Sequence, residues 1–175
     1  MVTPEILKCA VTNTEENLYG LSNQSPVLLI FLRHLGCIFC QEALKDLSNL
    51  KSKMDLSHVK IVFVHMAELN VAEEYFDELE LDVDYHISDP DCNLYEKFGL
   101  VKATTRELFS FQVMLKSSES ALVRGNWPKA KRIGDGFQMP GVFTINSGEI
   151  VDSYIHKRIS DRPNYSKMID CCGVG

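Results

Sequence analysis

The stretch VLLIFLRHLGCIFC, residues 27–40, decides the fold of this chain. Residues 27–32 are all apolar, which predicts a β-strand buried on both faces, because a half-exposed strand would alternate apolar and polar residues. After Gly36, apolar side chains recur at three- and four-residue intervals as far as Met54, which predicts an amphipathic helix. Cys37 and Cys40 therefore lie where a buried strand ends and a helix begins.

Two thiols at this spacing can close a small disulfide ring or share a proton. The unpaired N–H groups and the positive dipole end of the helix favour a thiolate over a thiol there, so the motif predicts redox chemistry. One alternative is a pair of buried, inert thiols. A second alternative is a structural zinc site completed by Cys171 and Cys172, although adjacent cysteines are poorly placed around a tetrahedral ion. The strand–thiol–helix context favours the redox interpretation, with no metal.

Composition limits the class of protein. The chain has 175 residues and a net charge of −6, which suits one domain over residues 1–175 and does not favour nucleic acid or an anionic membrane as partner. Residues 1–18 contain acids and lack the apolar core of a signal peptide. No apolar run approaches the roughly 18 residues of a membrane helix. These features predict a cytoplasmic protein, and they leave its oligomeric state open.

Periodicity and turn signals divide the chain into alternating helices and strands. The predicted helices cover residues 3–18, 40–54, 71–79, 92–98, 104–123 and 163–170, and the predicted strands cover residues 27–32, 59–64, 83–87, 141–145 and 149–155. Residues 22–26 form a polar connector, Gly99 ends the fourth helix, and Asn146-Ser147-Gly148 is typical of a hairpin turn. The strand–helix–strand series implies parallel pairing and the hairpin antiparallel pairing. We therefore expect an α/β fold with a mixed sheet and helices on both faces.

Three further features accompany the Cys-x-x-Cys motif. Met139-Pro140 stands immediately before the last hairpin, that hairpin precedes one closing helix, and the motif itself lies in a βαβ context. In these respects residues 20–170 resemble the thioredoxin-like superfamily, in which a cis-proline before an antiparallel strand faces the redox motif. The resemblance implies that the Met139–Pro140 bond is cis and lies against Cys37.

Within that superfamily the chain looks most like the peroxiredoxin-like group of AhpC/TSA antioxidant proteins. The resemblance is carried by residues 31–40, 91–100, 140–143 and 161–165, and by the long helical and loop insert at 104–139. It implies a thiol-dependent oxidoreductase that needs no organic cofactor, reduces a peroxide or a protein disulfide, and takes electrons from an external thiol reductant.

Two positions depart from the patterns of the superfamily. Peroxiredoxins carry Thr three residues before the reactive Cys, where this chain has His34 before Cys37, and Cys37 before Cys40. Thioredoxins carry Gly-Pro between the cysteines, where this chain has residues 38–39, Ile and Phe. Dithiol redox chemistry is therefore implied more strongly than peroxidase activity.

We expect Cys37 to attack the substrate and Cys40 to resolve the intermediate to a Cys37–Cys40 disulfide. If the peroxiredoxin alignment governs, the order is reversed and Cys40 attacks first. Arg33 and His34 are candidates for tuning the thiolate, because a nearby cation lowers a thiol pKa. Met139 is expected to present its backbone to a substrate segment. The competing class of function is a non-enzymatic binding or redox-sensing module that keeps the fold.

Other residues receive weaker assignments. Cys92, at the start of a short helix, is in a position that favours a thiolate, yet it has no partner in sequence and is interpreted as a structural residue. Cys171 and Cys172 are interpreted as incidental cysteines, with a mobile resolving pair as the alternative. Arg124 is expected at the surface, and Trp127 is expected to pack.

Overall fold

The structure is a computed structural model that describes residues 2–53, 56–104, 133–157 and 161–170. Its helices are α1 (Pro4–Cys9), α2 (Leu18–Gln24), α3 (Ile38–Lys53), α4 (Leu69–Glu78), α5 (Asn93–Lys97) and α6 (Tyr165–Asp170). Its strands are β1 (Val27–Phe31), β2 (Lys60–His65), β3 (Tyr85–Ser88), β4 (Gly141–Asn146) and β5 (Glu149–Ile155). The predicted helix at 104–123, apart from its first residue, lies outside the described residues, as do Arg124 and Trp127.

The five strands form one mixed sheet in the order β3-β2-β1-β4-β5. β1 pairs in parallel with β2, and β2 in parallel with β3, whereas β4 runs antiparallel to both β1 and β5. The predicted mixed sheet is confirmed. Because β1 is the central strand, the segment that leaves its carboxyl end emerges in the middle of the sheet edge.

Alternate side chains of β1 enter two separate cores. Leu28 and Ile30 pack with residues of α3, α4 and α6 on one face of the sheet. Leu29 and Phe31 pack with residues of α1, α2 and α5 on the other. The predicted helices on both faces are therefore confirmed, and the unbroken apolar run of β1 is explained by burial on both sides.

The amino-terminal segment differs from the single helix predicted over residues 3–18. α1 ends at Cys9, and the chain then turns through Thr12, whose backbone N–H and hydroxyl both donate to the Glu16 carbonyl. Asn17 starts α2 by accepting the Gly20 N–H at 2.8 Å. Thr and Asn side chains that bond nearby backbone groups compete with helix, so the periodic apolar pattern is split in two. Residues 22–24 of the predicted polar connector, 22–26, belong to α2.

The turns and caps of the carboxyl half largely agree with expectation. Ser147 and Gly148 adopt φ values of 51° and 77° in the predicted hairpin turn, and Gly99 ends α5 with φ 74°. Gly148 is required for a second reason, because a Cβ there would lie 2.6 Å from the Tyr19 ring. α6 begins at Tyr165 instead of residue 163, since the Asn164 side chain accepts the Lys167 N–H at 3.0 Å and caps the helix at that point.

The predicted cis Met139–Pro140 bond is wrong. No peptide bond within the described ranges is cis. The chain instead enters β4 as an extended segment, in which the Met139 N–H donates to the Val101 carbonyl and the Pro140 carbonyl accepts from the His156 N–H. A trans bond continues this extended path, and it is the favoured isomer for X–Pro.

Among the helices that the structure describes, none has the length and apolar character needed to cross a lipid bilayer.

Candidate active site

The segment between β1 and α3 turns sharply and is held by hydrogen bonds. Gly36 has φ 86°, a conformation that glycine adopts without steric cost, and the Cys37 N–H donates to the His34 carbonyl at 3.1 Å. The Tyr75 hydroxyl on α4 accepts both the Gly36 N–H at 3.1 Å and the Gln41 side-chain amide at 2.9 Å. These contacts fix the path of the chain into the Cys-x-x-Cys motif.

The segment that follows the insert closes over the same turn. Leu35 and Ile133 exchange two backbone hydrogen bonds, of 3.0 and 3.2 Å. Gly134 then passes so close to Met66 that an added Cβ would lie 3.0 Å from the Met66 Cβ. The turn is thereby connected to residues almost 100 positions later in the chain.

The two sulfurs have different surroundings although both cysteines are buried and reduced. Cys37 immediately precedes the first residue of α3, and its sulfur accepts hydrogen bonds from the Cys40 thiol and the Cys40 backbone N–H. The Arg33 guanidinium Nη1 lies 3.9 Å from the Cys37 Sγ. The Cys40 sulfur accepts the Arg33 backbone N–H at 3.3 Å.

These surroundings move the two thiol pKa values in opposite directions. The hydrogen bond from the Cys40 thiol lowers the pKa of Cys37 to about 5, against the opposing effect of burial and with help from the Cys40 N–H and the charges of His34 and Arg33. The neighbouring Cys37 sulfur and complete burial raise the pKa of Cys40 well above its ordinary value. At neutral pH the pair is therefore a Cys37 thiolate beside a Cys40 thiol.

The structure brings the predicted tuning residues together beside Cys37. Arg33 is only 2% exposed, and its guanidinium also donates to the Gly136 carbonyl. The His34 Nδ1 lies 3.1 Å from the Leu35 carbonyl, so this nitrogen carries the proton.

A pocket with mainly apolar walls opens at the sulfurs and encloses about 530 Å³, including space open to solvent. Cys37, Cys40, Arg33 and Pro140 all line it. Pro140 is therefore near the redox pair as predicted, although its peptide bond is trans. Met139 is buried directly before it.

The family of the chain follows from comparison with known proteins. The family model described as AhpC/TSA antioxidant enzyme matches residues 46–158, more than half of the sequence. The chain belongs to the AhpC/TSA antioxidant enzyme family. It is accordingly a peroxiredoxin-like, thiol-dependent oxidoreductase, as predicted. The matched residues begin after Cys40, so the match assigns no role to either cysteine. Those roles are inferred from the geometry of the site.

Relatives with curated names are distant. The chain is 25% identical to the human prostamide/prostaglandin F synthase, over 97% of this chain and 86% of that protein. It is also 25% identical to the chloroplastic thioredoxin-like protein AAED1 of Arabidopsis thaliana, over 83% of this chain and 61% of that protein. The chain thus spans less than two thirds of the plant relative.

Solved structures support the fold. The bacterioferritin comigratory protein of Xanthomonas campestris superposes with a TM-score of 0.62 at 12% identity, covering 91% of this chain and 88% of that one. A peroxiredoxin-like protein of Aquifex aeolicus gives a TM-score of 0.60 at 16% identity, covering 92% and 78%. This AhpC/TSA family member therefore has the thioredoxin-like fold of the peroxiredoxins, as predicted.

Sequence reasoning missed several residues of the pocket. His156 lines it, as do Asp161, Arg162 and Tyr165, which the sequence analysis noted only as part of the segment 161–165 that resembles the peroxiredoxin-like group. The Arg162 guanidinium contacts the carboxylates of Glu42 and Asp46 on α3, which joins the carboxyl-terminal segment to the helix that carries Cys40. The sequence did contain one signal for His156. The two predicted strands of the hairpin, 141–145 and 149–155, pair antiparallel, so Pro140 directly before the first strand and His156 directly after the second should lie side by side.

The helix start does not favour a thiolate at Cys92, which agrees with its interpretation as a structural residue. Burial and the Asp89 carboxylate raise the pKa of the Cys92 thiol. Asp89 accepts the N–H groups of Asn93, Leu94 and Tyr95, so the donors at the start of α5 are already occupied by a negative group. In the part of the chain that the structure describes, no cluster of His, Cys, Asp or Glu is arranged to hold a metal ion. Cys171 and Cys172 lie outside that part.

Proposed function

We propose that this enzyme reduces organic hydroperoxides with Cys37 as the attacking thiolate and Cys40 as the resolving thiol. Cys37 attacks the terminal peroxide oxygen, the O–O bond breaks, and the leaving alkoxide takes up a proton from water to become an alcohol. The sulfur is oxidised to a sulfenic acid. The Cys40 thiol then attacks the sulfenic sulfur, so that the S–S bond forms, the S–O bond breaks and water leaves. An external thiol reductant later reduces this Cys37–Cys40 disulfide and restores the dithiol.

The opposite protonation of the two sulfurs carries this proposal. A thiolate is the nucleophile and a thiol is not, so the sulfur with the lowered pKa reacts first. The alternative order, with Cys40 attacking, would need ionisation of a buried thiol directly beside an existing thiolate. The protonation states of the two thiols therefore favour Cys37 as the attacking residue.

The walls of the pocket support an organic substrate. Ile30, Leu32, Ala43 and Val142 line it beside the sulfurs and can cover an apolar substituent of the peroxide. The bacterioferritin comigratory protein of Xanthomonas campestris has alkyl peroxide reduction activity, which agrees with this choice. Reduction of a protein disulfide is the competing reaction.

A single-turnover experiment tests the proposal. Reduced enzyme is mixed with an alkyl hydroperoxide, and sulfenic acid is trapped with dimedone and mapped by mass spectrometry. We expect Cys37→Ser to abolish peroxide consumption, and Cys40→Ser to complete one turnover and carry the label on Cys37. Cys9→Ser, which changes an exposed cysteine of α1, serves as the matched control and should behave as the unchanged enzyme.

Two outcomes would contradict the proposal. Label on the Cys40 sulfur of a Cys37→Ser variant that still consumes peroxide would reverse the order of attack. Reduction of insulin disulfides faster than of any peroxide, at equal substrate concentration, would show that disulfides are the substrate class.

A further inference from the structure

His156 is held in the wall of the redox pocket by the end of the hairpin. It follows the last residue of β5, and its backbone N–H donates to the Pro140 carbonyl at 3.4 Å, which extends the β4–β5 ladder by one position. The Tyr154 ring meets the imidazole edge-on, with ring centroids 5.2 Å apart. The side chain therefore lines the pocket shared by Cys37 and Cys40.

Within the described part of the chain, one nitrogen of this imidazole has no hydrogen-bond partner. His156 Nδ1 is buried, and no donor or acceptor among the described residues reaches it. A buried polar atom without a partner costs free energy, and such atoms in native proteins usually indicate water, a ligand or a catalytic role. His156 lines the same pocket as Cys37 and Cys40. It is the one imidazole among the pocket's described lining residues.

We propose that His156 is the base of the resolving step of the peroxide reaction, an inference that rests on the proposed function. The imidazole accepts the Cys40 thiol proton, directly or through a water molecule in the pocket, as the Cys40 sulfur attacks the sulfur of the Cys37 sulfenic acid. The S–S bond forms and the S–O bond breaks. The leaving hydroxide takes the proton from the imidazolium and departs as water.

The Cys40 thiol still needs a base once Cys37 is oxidised. The Cys37 thiolate that raises the pKa of Cys40 in the reduced pair is then gone, but burial of Cys40 continues to raise it. Burial lowers the pKa of His156, and the Asp161 carboxylate only partly opposes this effect, so the imidazole is neutral near pH 7 and able to accept a proton. Other charged or titratable groups that line the pocket are Arg33, Cys37, Asp46, Asp161, Arg162 and Tyr165.

The test separates the two chemical steps in rapid-quench single turnovers with an alkyl hydroperoxide. In His156→Gln we expect disulfide formation to slow at least about tenfold, as removal of a general base does, so that sulfenic acid accumulates on Cys37. The unchanged enzyme should lose resolution rate only at pH values below the ordinary histidine pKa of about 6.5, because burial lowers the pKa of His156, and the variant should lack this dependence. His58→Gln, which replaces an exposed histidine outside the pocket, is the matched control.

Several results would overturn the inference. Disulfide formation in His156→Gln with the rate and pH dependence of the unchanged enzyme would exclude a base. Equal slowing of both steps would assign His156 a structural role only. Absence of any sulfenic acid in the unchanged enzyme would overturn the proposed function, and this inference with it. If His156→Gln does not fold, the same measurements are made on His156→Ala, and failure of free imidazole to restore its resolution rate would also exclude a base.

Discussion

The two cysteines are chemically alike and differ only in what surrounds each sulfur. Cys37 lies outside the first turn of α3 and receives donors, whereas Cys40 lies inside that turn and faces a thiolate. A hydrogen bond to the charged form of a group lowers the pKa of an acid, and a neighbouring negative charge raises it. The division of labour that we propose between an attacking and a resolving sulfur thus arises over a distance of three residues.

Arg33→Gln tests the contribution of the buried guanidinium. We expect the pKa of Cys37 to rise by about 1 unit, because a cation near the sulfur is removed, and to rise further in Cys40→Ala, which removes the hydrogen bond with the largest effect. The ultraviolet absorbance of the thiolate, followed against pH, measures both values. Lys45→Gln removes an equal charge from an exposed position of α3 and is the control. An unchanged pKa in Arg33→Gln would contradict the assigned role.

At the scale of secondary-structure elements, side-chain caps decide where several helices begin. Asn17, Asp89 and Asn164 each accept backbone N–H groups at a helix start. These caps explain why α2 begins at Leu18 and α6 at Tyr165 instead of at the positions that the apolar pattern alone indicates. They also position α5, whose Tyr95 hydroxyl donates to the Leu32 carbonyl directly before the redox turn.

Asp89→Ala tests how much the side-chain cap at the start of α5 contributes to stability. Three N–H groups lose their acceptor, so we expect the free energy of unfolding to fall by about 1–2 kcal/mol. Urea denaturation followed by circular dichroism measures the change. Asp91→Ala, two residues along and exposed, should alter stability by less than about 0.5 kcal/mol. Equal effects of the two substitutions would show that the cap contributes nothing specific.

At the scale of the whole molecule, a buried histidine pair between the sheet and α4 links stability to pH. His65 Nε2 and His86 Nδ1 lie 2.9 Å apart, and both side chains pack against Phe76. Burial and the neighbouring His86 lower the pKa of His65 to about 3, and burial lowers that of His86 although Glu73 opposes it. The folded protein therefore resists protonation that the unfolded chain accepts.

The sign of the effect follows from linkage. Above about pH 6.5 neither state binds the proton and the stability is complete, whereas below it the unfolded chain gains protons and stability is lost as pH falls towards 3. We expect a slope of about 1.4 kcal/mol per pH unit for each proton. Replacing both histidines by leucine should make the slope between pH 6 and about 4.5 shallower, as measured by urea denaturation. His58→Gln should retain the steep slope, and an unaltered slope in the double variant would contradict the assignment.

The sequence by itself determined the class of the fold and the strand–turn–helix context of the Cys-x-x-Cys motif. The apolar run of β1, the periodicity of α3 and the turn at Ser147-Gly148 are properties of a few neighbouring residues, and each appeared in the structure near its predicted bounds. The context of Cys37 and Cys40, between a buried strand and a helix, was predictable for the same reason, because it too is local.

Only the tertiary structure decided which groups complete the site. The trans bond before Pro140 depends on pairing with Val101 and His156, which are distant from it in the chain, and the raised pKa of Cys92 depends on Asp89 occupying the helix start. His156 reaches the pocket because β5 pairs with β4 beside β1. Such contacts join residues far apart in sequence, and no local pattern encodes them, because burial and the fields of neighbouring charges exist only once the sheet has assembled.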